Sequence, residues 1–197
     1  MTRGLRWRVF VLQVGLIGIF GFIAGFAFWG SGFASGQVQT QLAAQKITFP
    51  AAGSASLKAL PAADAAAMTV YAGQQMTTGA QAETYADHFI NVHLNEIAGG
   101  QTYSQVSAAA QANPTNAKLA AQVQTLFRGE TLRGLLLNSY GWWQVGQYAF
   151  YAAIGLAVAS AAVLLAFMFE IVGWRVSVKK ERGARLTVHP AGSARAA

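Results

Sequence analysis

Two histidines and three carboxylates in the middle of the chain are the residues best suited to do chemistry. His88 and His93 lie among Glu83, Asp87 and Glu96. Imidazole and carboxylate groups are ligands of zinc and of non-haem iron, so a metal site is conceivable. On an α-helix, residues five apart point about 140° apart, and the two histidines cannot easily bind one ion. His93 also lies on an apolar stripe of this helix, which favours a hydrogen-bonded core histidine, and we expect no metal ion or other cofactor.

Few other residues of the chain could support catalysis. The 197 residues include no cysteine, which excludes disulfide bonds and thiolate nucleophiles. No phosphate-binding loop or HExxH-type pattern appears, and isolated serines carry no information about a nucleophile. The sequence therefore predicts a protein without catalytic activity.

A mixed charged and aromatic segment follows later in the chain. The candidate partner-binding or membrane-interface residues in it are Arg128, Glu130, Arg133, Trp142 and Trp143. Glu130 and Arg133 have the three-residue spacing of a helical ion pair. The segment either recognises a partner or lipid headgroups, or it sets the angle and depth of the helix that follows.

Two long runs without an ionisable residue must position these groups. They extend over residues 9–45 and 134–169. Each exceeds the roughly 20 apolar residues that a helix needs to cross a hydrocarbon core of about 30 Å. A cleaved secretory signal is the alternative for the first run, but its apolar stretch, residues 9–28, is longer than the usual signal core of about 7 to 15 residues. The sequence therefore predicts two transmembrane helices.

The charges predict the orientation of these helices. The net charge is +7. Cations and anions balance between the two runs, whereas Lys and Arg dominate both flanks, from Arg3 to Arg8 and from Arg175 to Arg195. Because Lys and Arg near span ends stay on the cytoplasmic side, we expect both termini inside and the central domain extracytoplasmic, in the cell membrane. This placement explains the basic charge without a nucleic-acid partner.

Small residues recur along both predicted spans. The candidate helix-packing residues are Gly18, Gly21, Gly25, Gly155, Ala159 and Ala162. In lipid, such small-xxx-small patterns allow close helix approach. The two spans pack on each other, or they pack on another membrane protein subunit or on a second copy of this chain.

The sequence between the spans predicts helices. Residues 81–97 have helical apolar spacing and end at a Gly-Gly pair, and residues 64–76 are suited to a short helix. Thr102 and Gln105 have the spacing of a capping box, and the helix that they begin ends near Asn113. No run alternates as a strand does, so the predicted fold is all-α, with two transmembrane helices bracketing a mostly helical domain.

The predicted division of the chain follows from these patterns. It consists of a cytoplasmic N-terminus (1–8), transmembrane helix 1 (9–34), an extracytoplasmic helical domain (35–140), transmembrane helix 2 (141–173) and a basic cytoplasmic tail (174–197).

Several segments of the chain resemble a known family. The segments are PAADAAAMTVYAGQQ (61–75), YADHFINVHL (85–94), AGGQTYSQVS (98–107) and TLFRGETLRGLLLNSYGWW (125–143). They are similar to a family of short two-span membrane proteins of actinobacteria, and the resemblance extends over residues 41–154. Some members carry an automated label of aromatic ring-opening dioxygenase. The resemblance implies a two-span membrane protein and transfers no catalytic residues.

Three functions remain open at this point. The first is an accessory or assembly subunit that binds a larger membrane complex through its small-residue helix faces. The second is an extracytoplasmic ligand-binding or sensing module with a pocket near His93 and Tyr85. The third, a minor alternative, is a metal-dependent enzyme.

Overall fold

The computed structural model describes residues 3–187, and the part of the expected basic tail that contains Arg195 lies outside them. Helices make up 84% of the described residues, which form no β-strand, as the all-α prediction requires. The helices are α1 (Arg3–Gln45), α2 (Ala55–Lys58), α3 (Ala62–Thr69), α4 (Gly79–Tyr85), a π-helical turn (Ala86–Ile90), α5 (Asn91–Ala98), α6 (Tyr103–Ala112) and α7 (Ala117–Thr187).

Helices α1 and α7 are both long and apolar enough to cross a membrane. α1 ends where Lys46 adopts a left-handed conformation with φ 53°, and its backbone N–H donates to the carbonyl of Ala43. α7 begins at a side-chain cap, since the Asn116 Oδ1 accepts hydrogen bonds from the backbone N–H groups of Lys118 and Leu119. Pro114 lies in the short segment between the end of α6 and this cap. From Ala117 it continues unbroken past the glycines of its first half.

The chain forms two compact units. We call residues 28–150 the central unit. The described residues up to Ala27 and from Tyr151 onward together form the terminal unit. In the terminal unit, α1 and α7 meet along a seam with seven-residue spacing on each helix. The seam residues are Phe10, Ile17 and Ala24 on α1, and Ala153, Ser160, Phe167 and Trp174 on α7.

The contacts along this seam are short. The rings of Phe10 and Phe167 have centroids 5.5 Å apart. The Ser160 hydroxyl donates a 3.2 Å hydrogen bond to the carbonyl of Ile17, and Ala24 and Ala153 are buried. Because a strict seven-residue repeat is shorter than two turns of a straight helix, this spacing favours a left-handed supercoil.

The central unit has its own apolar core. Phe49, Met68, Met76 and Leu126 are among its most deeply buried side chains. Backbone hydrogen bonds join the segment after α1 to the segment before α4: the Phe49 N–H donates to Gln74, and the Met76 N–H donates to Ile47. These segments run antiparallel and make one isolated bridge, between Thr48 and Gln75.

Helix ends in the central unit follow their local signals. Thr102 and Gln105 form the predicted capping box at the start of α6, and a second one, which was not predicted, joins Thr78 and Gln81 at the start of α4. Gly99 ends α5 with φ 60°, as its Gly-Gly pair predicts. α3 ends at Thr69, earlier than the predicted helix over residues 64–76.

Candidate functional site

A π-helical turn positions two consecutive side chains, the carboxylate of Asp87 and the imidazole of His88. In this turn the Asn91 N–H donates to the carbonyl of Ala86, five residues earlier. His88 contacts α3, with its Nδ1 2.7 Å from the Asp64 Oδ1. Asp87 contacts α7, with its Oδ1 2.7 Å from the Arg133 Nη2. The turn therefore ties two neighbouring helices to one short segment.

Arg133 is the centre of a small charged cluster. Its Nη1 lies 3.7 Å from the Glu130 Oε2, which confirms the ion pair predicted from the three-residue spacing. Its shorter contact is with Asp87, 46 residues away in the sequence. Sequence reasoning missed this partner because no local spacing connects the two residues. The Arg133 Nε is buried and has no hydrogen-bond partner in the described part of the chain.

His93 belongs to a cluster of packed rings. Its Nδ1 lies 2.7 Å from the backbone carbonyl oxygen of Phe89, and its ring centroid is 4.6 Å from that of Phe89. The centroids of Phe89 and Tyr85 are 4.9 Å apart, and those of Tyr85 and Phe49 are 5.4 Å apart. Burial raises the pKa of Tyr85. These packed rings lie where sequence reasoning put a ligand pocket.

Neither His88 nor His93 belongs to a group of ligand side chains large enough to hold a metal ion in the described part of the chain. Among residues 3–187, no group of three or more His, Asp and Glu side chains could hold a metal ion. The sequence argument assumed a regular α-helix between His88 and His93, whereas the π-helical turn changes the angle between them. The two Nδ1 atoms are engaged by different partners, Asp64 and Phe89.

The two consecutive tryptophans of α7, Trp142 and Trp143, have opposite roles. Trp143 packs against the core of the central unit, where its side chain meets the backbone of Gly79 so closely that a Cβ there would overlap it. Trp142 is 58% exposed, and Arg128 is exposed as well. Of the five candidate interface residues, Trp143, Arg133 and Glu130 therefore have partners within the chain, whereas the side chains of Trp142 and Arg128 are largely exposed.

The exposed tryptophan lines a groove between α1 and α7 in the central unit. The groove has a volume of about 340 Å³. We call it the amide groove, after the side-chain amides of Gln37, Gln41 and Asn138 that line it with Ser139, Phe33 and Trp142. A second cleft of about 210 Å³ shares Gln41, Asn138 and Ser139 with it and is otherwise lined largely by leucines of α1 and α7. Sequence reasoning missed this groove, because its residues come from helices about 100 positions apart.

The predicted packing residues take little part in the seam. Gly21 is near it, since a Cβ there would lie 3.8 Å from the Ser160 Oγ, and Ala159 is half-buried. Added Cβ atoms at Gly18, Gly25 and Gly155 would meet nothing within 4 Å. Ala162 is exposed. The small residues thus leave open surface on both helices, beside a seam made by other residues.

No protein family, curated protein or solved structure matches this chain. A proposal about its function therefore rests on the geometry described above.

Proposed function

We propose that this chain is an integral membrane protein that works by binding another membrane protein, as an accessory or assembly subunit, and not by catalysis. The observation that carries this proposal is the use made of its reactive side chains. His88 binds Asp64, Arg133 binds Asp87, and His93 packs against Phe89. The first two contacts hold helices of the central unit together, and all three are a structural use of groups that would otherwise be available for chemistry.

Exposed apolar surface supports the membrane location. The most apolar 18-residue windows of α1 and α7 are only 6% buried, whereas the core helix of a soluble protein is mostly buried. Large side chains such as Phe22, Phe26 and Phe169 are exposed on these helices. A hydrocarbon environment is the one in which such surface is stable, because water would have to solvate it at a high cost.

The cations support the orientation. Arg6 and Arg8 precede the apolar stretch of α1, and Arg175, Lys179 and Lys180 follow that of α7. With these on the cytoplasmic side, both termini are inside the cell and the region between α1 and α7, residues 46–116, is outside.

Labelling of single cysteines tests this orientation directly, because the chain contains no cysteine of its own. Ser104 on α6 and Ser177 on α7 are both exposed. We expect a Ser104→Cys variant to react with a membrane-impermeant maleimide on intact cells, and a Ser177→Cys variant to react only after permeabilisation. The opposite pattern, or equal labelling of both variants on intact cells, would overturn the orientation.

The open glycine face of α1 supports the choice of partner. Gly18 and Gly25 lie beside the seam without filling it, and Gly32 and Gly36 further along α1 also have open space at the Cβ position. Within lipid, van der Waals contact at such surfaces drives helix association. A transmembrane helix of another subunit fits this face because backbone atoms can approach closely there.

Substitution of Gly25 tests the partner face. A Gly25→Leu side chain has room in the isolated chain, so folding is retained while a second helix is kept at a distance. We expect the wild-type protein, purified in mild detergent, to carry a companion membrane protein in constant ratio, and Gly25→Leu to reduce that ratio about tenfold, a loss of roughly 1.4 kcal/mol. The matched control is Gly173→Leu on α7, where an added Cβ also has open space. A lone wild-type monomer at every loading, or equal loss in both variants, would contradict the proposal.

A second candidate function, ligand binding, is favoured by the amide groove. The rings at His93 and Tyr85 pack against the ring of Phe89, whereas this groove is open and lined by polar groups. The uncharged polar groups that line the groove limit the class of ligand that it can bind.

A further inference from the structure

The amide groove offers hydrogen bonds without charge. None of its lining residues is ionisable at neutral pH. Within residues 3–187, the side-chain amides of Gln37, Gln41 and Asn138 make no hydrogen bond. Each amide has both donors and acceptors, and the Ser139 hydroxyl adds one more polar group. This combination matches neutral hydroxyl groups, which also donate and accept, better than a phosphate or a carboxylate, whose charge would have no partner here.

Aromatic side chains border the same groove. Phe33 and Trp142 are each 58% exposed. Exposed aromatic faces pack well against the C–H faces of a sugar ring, and an indole N–H adds a donor. At about 340 Å³, the groove lies near the lower end of the roughly 300–1,000 Å³ typical of small-molecule sites, so it accommodates a compact headgroup and not a helix.

The height of the groove follows from the position of its residues along the helices. This step rests on the proposed function, with the first span over residues 9–34. Phe33 lies at the outer end of that span, and Gln41 lies eight residues further along α1, or roughly 12 Å at 1.5 Å per residue. The headgroup layer on each side of a bilayer is roughly 5 to 8 Å thick. The groove therefore begins at the inner edge of the headgroup layer and extends through it, towards Gln41.

We propose that the amide groove binds the headgroup of an uncharged, hydroxyl-rich membrane lipid, that is, a glycolipid of the glycosyl diacylglycerol type. The sugar hydroxyls are hydrogen-bonded by the amides of Gln37, Gln41 and Asn138. The sugar ring packs against Trp142, and the acyl chains remain in the bilayer beside α1.

Lipid retention by the full-length protein tests this proposal. The protein is reconstituted in phosphatidylcholine nanodiscs that contain monoglucosyl diacylglycerol, phosphatidylglycerol or diacylglycerol, and the lipids that stay bound after detergent extraction are counted by native mass spectrometry. We expect retention of the glucosyl lipid to exceed that of the other two about tenfold. Gln41→Leu and Asn138→Leu should each reduce it about tenfold through the loss of hydrogen bonds.

Matched variants make the result specific. Gln39→Leu is the same substitution on the same helix at an exposed position outside the groove lining, and it should leave retention unchanged. Trp142→Ala should reduce retention without loss of helix content by circular dichroism, because the side chain is largely exposed. Each variant is compared at equal helix content, so a folding defect is not mistaken for lost binding.

Several results would overturn the lipid proposal. Retention of phosphatidylglycerol or diacylglycerol at the level of the glucosyl lipid would overturn the proposal, as would equal losses in the Gln39 and Gln41 variants. Displacement of the lipid by free methyl glucoside at millimolar concentration would assign the site to soluble sugars and overturn the lipid assignment. Cysteine labelling does not depend on this lipid, so a correct orientation with no preferential retention would reject the lipid proposal alone.

Discussion

Replacing Gly79 with alanine is expected to lower the apparent thermal unfolding midpoint of the protein in detergent by about 5 °C. A Cβ at this position would overlap the Cβ and Cγ atoms of Trp143. These atoms lie next to the α7 backbone and cannot swing away, so α4 or α7 must shift. Overpacking of this kind costs about 1–3 kcal/mol, and each kcal/mol lowers the midpoint of a chain of this size by roughly 2–4 °C. Near-ultraviolet circular dichroism at a constant heating rate measures the midpoint.

Two glycines of α7, Gly129 and Gly134, provide graded controls. At Gly129 an added Cβ meets the terminal methyl groups of Leu94, which can rotate, so Gly129→Ala should lower the midpoint less than Gly79→Ala does. At Gly134 it meets nothing within 4 Å, and Gly134→Ala should stabilise the helix by at most about 1 kcal/mol. Equal effects of the Gly79 and Gly134 substitutions would show that Trp143 does not limit the packing of α4.

Truncation of Phe49 should cost still more free energy of unfolding, about 3–5 kcal/mol for Phe49→Ala. Phe49 is 1% exposed, and its ring centroid lies 5.3 Å from that of Tyr71 and 5.4 Å from that of Tyr85. The substitution leaves a cavity between the two tyrosines and weakens the pairing of Ile47 with Met76. Chemical denaturation in detergent, followed by the near-ultraviolet signal of the tyrosines, measures the loss.

Phe127 supplies the matched control for this prediction. It is 55% exposed on α7, so Phe127→Ala removes the same side chain from the surface and should cost less than about 1 kcal/mol. Phe49→Leu retains most of the buried volume and should fall between the two alanine variants. If the two alanine variants were equally stable, the Phe49 ring would not be part of the core.

The elements that sequence reasoning predicted correctly are those with local signals. The capping box at Thr102 and Gln105 and the glycine that ends α5 each involve residues within one or two turns of each other. The two long apolar helices follow from the absence of charge over runs longer than a membrane span. Such signals involve neighbouring residues only, and a single sequence displays them directly.

The features that sequence reasoning missed depend on contacts between distant segments. The partner of Arg133 is Asp87, which lies on the π-helical turn, and the spacing around either residue does not indicate the other. The π-helical turn itself has ordinary helix-forming residues, so nothing in its composition marks the wider hydrogen-bonding pattern. The amide groove likewise exists only because α1 and α7 come together.

The residues that join the two apolar helices are mostly other than the predicted small ones. Sequence reasoning left open whether Gly18, Gly25 and Gly155 pack on the other span or on another subunit, and this stays a prediction. The seam includes large rings, Phe10 and Phe167, together with a serine that donates to a carbonyl on the facing helix. Complementary shape, and not residue size alone, therefore decides where these two helices meet.

The seven-residue spacing of the seam limits how the lengths of the two helices can change in evolution. Inserting or deleting one residue between Phe10 and Ala24, or between Ala153 and Trp174, rotates everything beyond it by about 100°. Such a change would turn part of the seam away from the facing helix and replace it with the neighbouring face. Seven residues are the smallest change that keeps both ends aligned to within about 20°, and a change of that size would alter the length of the helix by roughly 10 Å. Within these stretches, substitutions are therefore far easier to accommodate than changes of length.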